Sequence, residues 1–282
     1  MHRSIMPIVS IPQSYCQERH RDSQRGKSKD NRSIAKSKAE KTTIEKVKGG
    51  CMKYLAFDIE TIPQPDLPEG VKPEFDPESV KLGNVKDSEK IKVKLEEAEQ
   101  QFESDLIKKM SLDPDLCEVV AFACFPEGEK VDFYADDNEH DEDTEYEIIH
   151  EAWDQIRTAY NTRIPIVSYN GIGFDLPVLF HAAIRLDIPL SPTMYLDLTR
   201  KYDNKVHYDL MQILAGWDRT KWKPLDFYLK LFGVGGKSES GSQVYEMWKA
   251  KEYEKIREYC KQDVLMTAKL FDRIFPWIIK EG

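Results

Sequence analysis

Apolar residues recur along residues 52–282 both in short runs and in helical periods, and the two patterns alternate. The short runs predict five strands, at 53–62, 117–125, 130–134, 164–169 and 206–210. The helical periods predict helices at 87–110, 175–186, 224–232 and 253–275, and one that ends near Tyr160. Three successive strands followed by helix–strand units predict an α/β fold, in which a mixed sheet carries helices on its faces.

Residues 87–110 form the most highly charged of these helical segments. Its apolar positions recur near a helical period, at Ile91, Leu95, Ala98, Phe102, Leu106 and Met110. The segment follows a stretch punctuated by Pro and Gly, and together they predict a charged helical insertion at about 66–115. One interpretation is a solvated helix that lies on the domain. The other is a lid or an arm that binds a protein partner.

Residues 1–51 differ in composition from the rest of the chain. They hold 12 Lys and Arg against 5 Asp and Glu and show no strand or helix period, which predicts a disordered basic tail. Two interpretations stay open: an arm that holds nucleic acid, or a segment upstream of a natural start at Met52. The stretch KGGCM at 48–52 favours the second, because its codons can contain a purine-rich ribosome-binding sequence before the Met codon.

The remainder of the chain is acidic. The formal net charge is −9, and residues 52–282 hold 29 Lys and Arg against 45 Asp and Glu. This balance argues against wrapping of nucleic acid around the protein, but it is compatible with a groove that carries a few placed cations. The five cysteines include no C-x-x-C pair, and no apolar run approaches the ~20 residues of a membrane span. We therefore expect reduced thiols in a cytoplasmic protein that makes no membrane contact.

Two carboxylates follow the first predicted strand. In KYLAFDIETIP, residues 53–63, Asp58 and Glu60 are two apart and so share one face of the strand. The same spacing also occurs at Asp76/Glu78, Asp87/Glu89, Asp137/Glu139 and Asp143/Glu145. Those four pairs lie in loops or on charged helical segments, where solvated charge is the ordinary explanation. Asp58 and Glu60 are therefore the candidate site, and a cap at the strand end is the alternative.

Two further segments place carboxylates beside core elements. In SYNGIGFDLPVL, residues 168–179, Asp175 stands at a helix start, where an N-cap is the alternative role. In REYCKQDVLMTAKLF, residues 257–271, Tyr259 and Asp263 are four apart and share one helix face. They lie at the edge of an apolar stripe, and a buried charge there needs a partner.

Convergence of Asp58, Glu60, Asp175 and Asp263 has a chemical consequence. Two carboxylates about 4 Å apart repel each other by roughly 4 kcal/mol at an effective dielectric constant of 20, so the cluster must take up protons or hold divalent cations. Oxygen ligands without His or Cys suit Mg²⁺ or Mn²⁺. Two such ions are a standard device for phosphodiester displacement, in which Tyr259 would position the attacking water.

These residues resemble the motifs of a known family. The chain is similar to the DEDD-type 3′→5′ exonucleases of the ribonuclease H-like fold, in their Tyr subclass. Within them it looks closest to stand-alone predicted exonucleases related to the proofreading domain of family B DNA polymerases. The motifs FDIET, NGIGFD and YCKQD carry the resemblance, through Asp58, Glu60, Asn170, Phe174, Asp175, Tyr259 and Asp263. It covers the chain from about Met52 to Phe275, with 66–115 poorly matched.

The resemblance implies a fold, an activity and residue roles. The fold would be a ribonuclease H-like mixed five-stranded sheet flanked by helices. The activity would be hydrolysis at the 3′ end of single-stranded nucleic acid, DNA favoured, with two Mg²⁺ or Mn²⁺ ions and release of nucleoside 5′-monophosphates. The metal ligands would be Asp58, Glu60, Asp175 and Asp263, and Tyr259 would complete the catalytic set. Thr61, Asn170, Phe174 and Lys237 are the candidate substrate-binding residues.

Other functions remain open for the same sequence. A non-catalytic nucleic-acid-binding module and an accessory subunit that docks through 87–110 are the alternatives. The P-loop pattern does not match GVGGKSESGS, residues 233–242. Lys237 in this segment is predicted either on a loop near the substrate backbone or on a loop that only terminates a helix. Asp209 is expected to cap a helix after the fifth strand.

Overall fold

A computed structural model describes residues 53–126, 132–135, 142–236 and 243–278. The predictions for the tail at 1–51 and for Lys237 lie outside these ranges. Within them no helix is both long enough and apolar enough to cross a membrane.

The described residues form a mixed sheet of five strands. The strands are β1 (Leu55–Pro63), β2 (Cys117–Pro126), β3 (Asp132–Ala135), β4 (Ile166–Ser168) and β5 (His207–Asp209). Their order is β3-β2-β1-β4-β5. The first three strands pair antiparallel, whereas β4 runs parallel to β1 and β5 runs parallel to β4. The predicted α/β class with a mixed five-stranded sheet is confirmed.

Helices cover the sheet and extend beyond it. They are α1 (Ser88–Met110), α2 (Glu142–Thr162), α3 (Asp175–Arg185), α4 (Pro192–Leu198), α5 (Leu210–Ala215), α6 (Leu225–Leu231), α7 (Val244–Lys249) and α8 (Tyr253–Ile278). Short 3₁₀ turns lie at Pro77–Ser79 and Arg219–Lys221. The sequence pattern did not predict α4 or α7, because six or seven residues show too little of a 3.6-residue period to stand out, and α5 was expected only from its cap at Asp209.

The central strand β1 is buried on both faces, which explains its nearly continuous apolar run. Leu55, Phe57 and Ile59 pack into a core with α2 and α3. Tyr54 and Ala56, on the opposite face, pack into a second core with α6, α7 and α8. Because side chains alternate along a strand, this second face is also the one that carries Asp58 and Glu60.

The inserted helix α1 is attached mainly near its C-terminal end. Asp87 caps its first turn by accepting hydrogen bonds from two backbone N–H groups. Only Leu106 and Met110 are buried among its 23 residues. Most of its remaining surface is exposed, as the charged pattern predicted. The helix therefore contacts the end of the central strand β1 rather than lying inside the core.

Candidate active site

The strand pair β1–β2 is irregular at the two acids of the first motif. The pairing passes from Glu60↔Ala121 to Thr61↔Val119, so Val120 is an extra residue on β2. Glu60 is buried and Asp58 is partly buried. A β-bulge re-aims side chains and often lies beside an active site. Here the bulge lies on β2, directly opposite the step from Glu60 to Thr61.

Asp175 reaches the same point from α3. Phe174 holds the N-cap position without a capping side chain, so Asp175 is the first helical residue and not the cap. Its carboxylate accepts hydrogen bonds from its own backbone N–H and from that of Ile59, which lies between Asp58 and Glu60. Burial raises the pKa of Asp175 to about 7, with further increases from Asp209 and Asp263 and opposition from the two N–H groups.

Helix α8 supplies the third segment through Tyr259 and Asp263. Burial raises the pKa of the Tyr259 phenol well above its usual range, and the carboxylates of Asp263, Glu60 and Asp58 raise it further. The phenol also donates a hydrogen bond to Asp263. Tyr259 thus faces acids from both β1 and its own helix and stays protonated.

Cys260, next to Tyr259, also lies beside the acids. Its thiol donates to the backbone carbonyl of Asp58, with Sγ 3.7 Å from the oxygen. Burial raises the pKa of this thiol, and the carboxylates of Asp58, Glu60, Asp263 and Asp175 raise it further. No feature of the sequence pattern indicated that Cys260 lies at the site. It stays neutral, and a neutral thiol is a poor ligand for a hard cation.

Acids of three distant segments therefore lie within electrostatic range of one another. One ligand atom each from Asp58, Glu60 and Cys260 lie within 4.8 Å of one another. The carboxylates of Asp175 and Asp263 interact with each other and with this group. A donor set of carboxylate oxygens fits hard divalent cations. Such cations would offset both the burial and the neighbouring negative charge that raise the pKa of Asp175.

The loop that leads to Asp175 is shaped by close contacts at its two glycines. Asn170 takes a left-handed backbone conformation, with φ of 70°. A Cβ on Gly171 would lie 2.2 Å from Ser168 Oγ, and a Cβ on Gly173 would lie 2.4 Å from Asn170 Oδ1. Only glycine fits at these two positions without displacement of a neighbour.

Asp209 ties this loop to the neighbouring strand and helix. Its carboxylate accepts from the backbone N–H groups of Met211 and Gln212 and so caps α5, as predicted. It also accepts from the N–H groups of Asn170 and Ile172. The sequence did not predict this second role, because it joins residues almost forty positions apart.

A buried polar chain beneath the loop was also missed. Gly171 N–H donates to Ser168 Oγ at 3.1 Å, and that oxygen lies 2.7 Å from His207 Nε2. His207 Nδ1 lies 2.8 Å from the carbonyl oxygen of Leu198. Burial lowers the pKa of His207, so the ring is neutral. Nδ1 then donates to the carbonyl, and Nε2 accepts from the serine hydroxyl.

The candidate substrate-binding residues lie in different settings. The Thr61 hydroxyl donates to the carbonyl of Ser111 at 2.6 Å, so it holds α1 to β1. Phe174 is partly buried against the core on the α2 and α3 side. Asn170 Oδ1 is buried and has no hydrogen-bond partner among the described residues. Lys237 lies outside the described residues.

The fold and the acid cluster define a nuclease-like class, and comparison with known proteins gives the family. Residues 109–276, more than half of the chain, match the family described as "Predicted 3'-5' exonuclease related to the exonuclease domain of PolB". The chain belongs to this family. The resemblance drawn from the motifs is thereby confirmed, and so is the prediction of a 3′→5′ exonuclease. The matched span contains Asp175, Tyr259 and Asp263 but begins after Asp58 and Glu60.

Comparison with solved structures gives one match of similar fold and two weaker ones. The family B DNA polymerase of the archaeon Pyrobaculum calidifontis is 22% identical, with a TM-score of 0.50, over 80% of this chain and 25% of the polymerase. The chain thus spans about a quarter of that polymerase. The chain also matches an exonuclease I structure with 14% identity and a TM-score of 0.34, over 80% of this chain and 44% of that chain. It matches the zinc-bound E. coli exonuclease I–ssDNA complex with 13% identity and a TM-score of 0.32, over 80% of this chain and 43% of that chain. No protein of curated function matches the sequence.

Proposed function

We propose that this protein is a metal-dependent 3′→5′ exonuclease that removes nucleoside 5′-monophosphates from the 3′ end of single-stranded nucleic acid, with DNA favoured. One observation carries the proposal. Carboxylates from β1, α3 and α8 lie near one another: those of Asp58, Glu60 and Asp263 raise the pKa of Tyr259 and of Cys260, and that of Asp263 also raises the pKa of Asp175. A fold gains no stability from such crowding, and a nucleic-acid phosphate needs cations to approach it.

Asp58, Glu60, Asp175 and Asp263 would hold two divalent cations, Mg²⁺ or Mn²⁺. When bound, these ions supply charge neutralisation at the phosphate and a lowered pKa for an attacking water. The protein fixes the ligands beforehand: the Ile59 amide holds Asp175, and Tyr259 holds Asp263. The neutral thiol of Cys260 fills the space behind Asp58 without adding a ligand.

Tyr259 would position the attacking water. Its raised pKa keeps the phenol protonated at neutral pH, so it acts as a hydrogen-bond donor and acceptor and not as a phenolate base. Its place among Asp58, Glu60 and Asp263 puts the hydroxyl beside the reacting phosphate in this scheme. Tyr259 would therefore raise the reaction rate by orienting the attacking water.

The direct test is digestion of single-stranded oligonucleotides labelled at the 5′ end, with Mg²⁺ or Mn²⁺ and with chelator. We expect a metal-dependent ladder that shortens from the 3′ end and yields 5′-monophosphates. Matched DNA and RNA oligomers should show faster digestion of DNA. Binding without shortening would instead support a non-catalytic module, and a chelator-resistant ladder would exclude the metal assignment.

Variants connect this activity to the cluster. Asp58→Ala and Asp263→Ala should each lower turnover by roughly a thousandfold or more, because each removes a ligand. The urea midpoint of the metal-free protein should change little, since relief of repulsion offsets lost contacts. Asp154→Ala, on α2, removes an exposed carboxylate and is the matched control. Intact cleavage by Asp58→Ala would refute the site.

We also infer that the protein functions in a reducing compartment, consistent with the cytoplasm. The described cysteines Cys117, Cys124 and Cys260 are buried and free. Burial and nearby Glu145 raise the pKa of Cys117 to about 12, so this thiol is inert. Non-reducing mass analysis of the purified protein from cytoplasmic extract should show all of these thiols reduced.

A further inference from the structure

A groove of about 600 Å³ lies beside the candidate active site. One wall is the C-terminal part of α1, with Leu106 and Met110 at its base. The other wall is α7 with the turn that follows it, and Ile62 and Pro63 of β1 lie between the walls. The proposed catalytic chemistry uses none of these residues, so the groove needs a separate explanation.

The groove continues the face of the sheet that carries the acids. Ile62 is two residues beyond Glu60 on the same face of β1, a distance of about 7 Å along a strand. Tyr253, on the opposite wall, begins α8, the helix that brings Tyr259 and Asp263 to the site. A linear polymer whose end occupies the site can therefore extend into the groove without crossing the core.

The α7 wall is aromatic. The rings of Trp248 and Tyr253 lie with centroids 5.0 Å apart and planes inclined by 59°. Both residues are partly buried, as is Tyr245, whose ring lies 4.8 Å from Lys249 Nζ. Aromatic faces that are held in place and partly exposed can stack on nucleobases of any sequence.

The groove carries cations on an otherwise acidic chain. Lys72, Lys249 and Lys251 line it together with one exposed carboxylate, that of Glu103, and all three lysines are exposed. Lys249 Nζ lies 2.8 Å from Glu246 in a surface ion pair, which contributes little and which a phosphate can replace. The groove also contains Glu118, whose pKa burial and Glu145 raise to about 8, so it is mostly uncharged at neutral pH.

We propose that this groove binds the nucleotides that lie 5′ of the terminal dinucleotide of a single-stranded substrate. Bases stack on Trp248 and Tyr253, and the backbone phosphates pair with Lys72, Lys249 and Lys251. Only the C-terminal part of the inserted helix α1, from Glu103 to Met110, lines the groove and so belongs to the substrate-binding surface. This inference rests on the proposed function, because it assigns the strand that leads into that site.

The test separates the groove from the catalytic centre by substrate length. A dinucleotide reaches only the site, whereas a DNA octamer also reaches the groove. The groove variant carries Lys72→Ala, Lys249→Ala and Lys251→Ala together. The charge-matched control carries Lys92→Ala, Lys201→Ala and Lys205→Ala, at exposed positions that do not line the groove. Octamer affinity is measured by fluorescence anisotropy with chelator present, and dinucleotide hydrolysis is measured with Mn²⁺.

We expect the groove variant to bind the octamer roughly tenfold or more weakly than the control, and to reduce the slope of log affinity against log salt by about 2. Dinucleotide hydrolysis should stay within about twofold of the control, since the dinucleotide makes no groove contact. Trp248→Leu should also weaken octamer binding about tenfold, whereas Trp248→Phe keeps an aromatic face and should retain most of it.

Three results would overturn the groove assignment. They are equal octamer affinity in the groove variant and the control, loss of dinucleotide hydrolysis together with octamer binding, and equal binding by the two Trp248 variants. Failure of the proposed function would look different. The wild-type protein would then hydrolyse neither substrate in Mn²⁺, while the octamer binding comparison would still decide whether the groove holds nucleic acid.

Discussion

At the scale of single residues, Asp175 shows what the site demands of a carboxylate. Two backbone N–H groups stabilise its charged form, yet burial and the acids around it prevail and raise its pKa to about 7. Without cations, this side chain therefore holds a proton near neutral pH for part of the time. Charging this buried carboxyl is therefore unfavourable in the folded protein, and carboxyls of this kind are common at functional sites.

Tyr259 allows a test of orientation apart from metal binding. We expect Tyr259→Phe to lower the cleavage rate by roughly tenfold to a hundredfold, because the ring still packs but the hydroxyl no longer orients water. Mn²⁺ affinity, measured by calorimetry, should change by less than about threefold. Phe at the exposed position Tyr202 is the matched control for loss of a phenol. An unchanged cleavage rate in Tyr259→Phe would remove its role.

Glu118 gives a prediction for stability against pH. Burial, then the nearby charge of Glu145, raises its pKa from 4.5 to about 8 in the folded protein. Between these values the folded state holds a proton that the unfolded state has lost, so the folded protein loses stability as the pH rises through 8. We expect Glu118→Gln to lie within about 1 kcal/mol of the wild type at pH 5 and to exceed it by roughly 5 kcal/mol at pH 9.

The measurement is urea unfolding of both proteins across this pH range. Glu103→Gln, at an exposed position in the same groove, should show no such divergence from the wild type. A constant difference between Glu118→Gln and the wild type at all pH values would contradict the raised pKa.

At the scale of elements, the length of each helix decided whether the sequence pattern could predict it. The pattern located α1 and α8, since both run for more than twenty residues with a helical period. It missed α7, whose six residues form the aromatic wall of the groove. The bulge at Val120 was also out of reach, because an extra residue on one strand shows only when its partner strand is known.

Asp209 joins two elements, and its removal should affect both. Asp209→Ala should lower the free energy of unfolding by about 3 kcal/mol, because four backbone N–H groups lose a charged acceptor. Cleavage should also fall, because the loop that positions Asp175 loses its anchor. Asp218→Ala removes a cap from an exposed 3₁₀ turn and should cost less than about 1 kcal/mol.

Urea unfolding and the oligonucleotide assay measure the two effects. An Asp209→Asn variant keeps one acceptor oxygen and should fall between the wild type and Asp209→Ala in stability. If Asp209→Ala were no more destabilising than Asp218→Ala, the double anchoring would be wrong.

At the scale of the whole molecule, the sequence could predict which segments contribute to the candidate site, because each motif stands beside a predicted strand or helix. Three motifs placed after strands or beside the apolar face of a helix together indicate that their carboxylates converge. Each motif alone could equally be a structural cap or an ion pair. The supporting contacts could not be predicted in this way. Ser168 and His207 meet only because β4 and β5 are neighbours, and an isolated buried Ser or His gives no signal of a partner.

Divalent cations should stabilise the whole fold through this cluster. Any ligand that binds only the folded state adds about 2.7 kcal/mol to the free energy of unfolding at a hundred times its Kd. We expect this increase for the wild type with saturating Mn²⁺ at pH 8. It should be smaller at pH 6, because Asp175, with its raised pKa, must lose a proton before it can bind a cation.

Asp263→Ala should lose most of the stabilisation, while Glu258→Gln, which alters an exposed carboxylate on the same helix, should keep it. Thermal and urea unfolding with and without Mn²⁺ provide the comparison, and Ca²⁺ tests whether ion size matters. An equal increase in wild type and Asp263→Ala would mean that Mn²⁺ binds elsewhere on the acidic surface. The four carboxylates would then need protons, and not metal ions, to coexist.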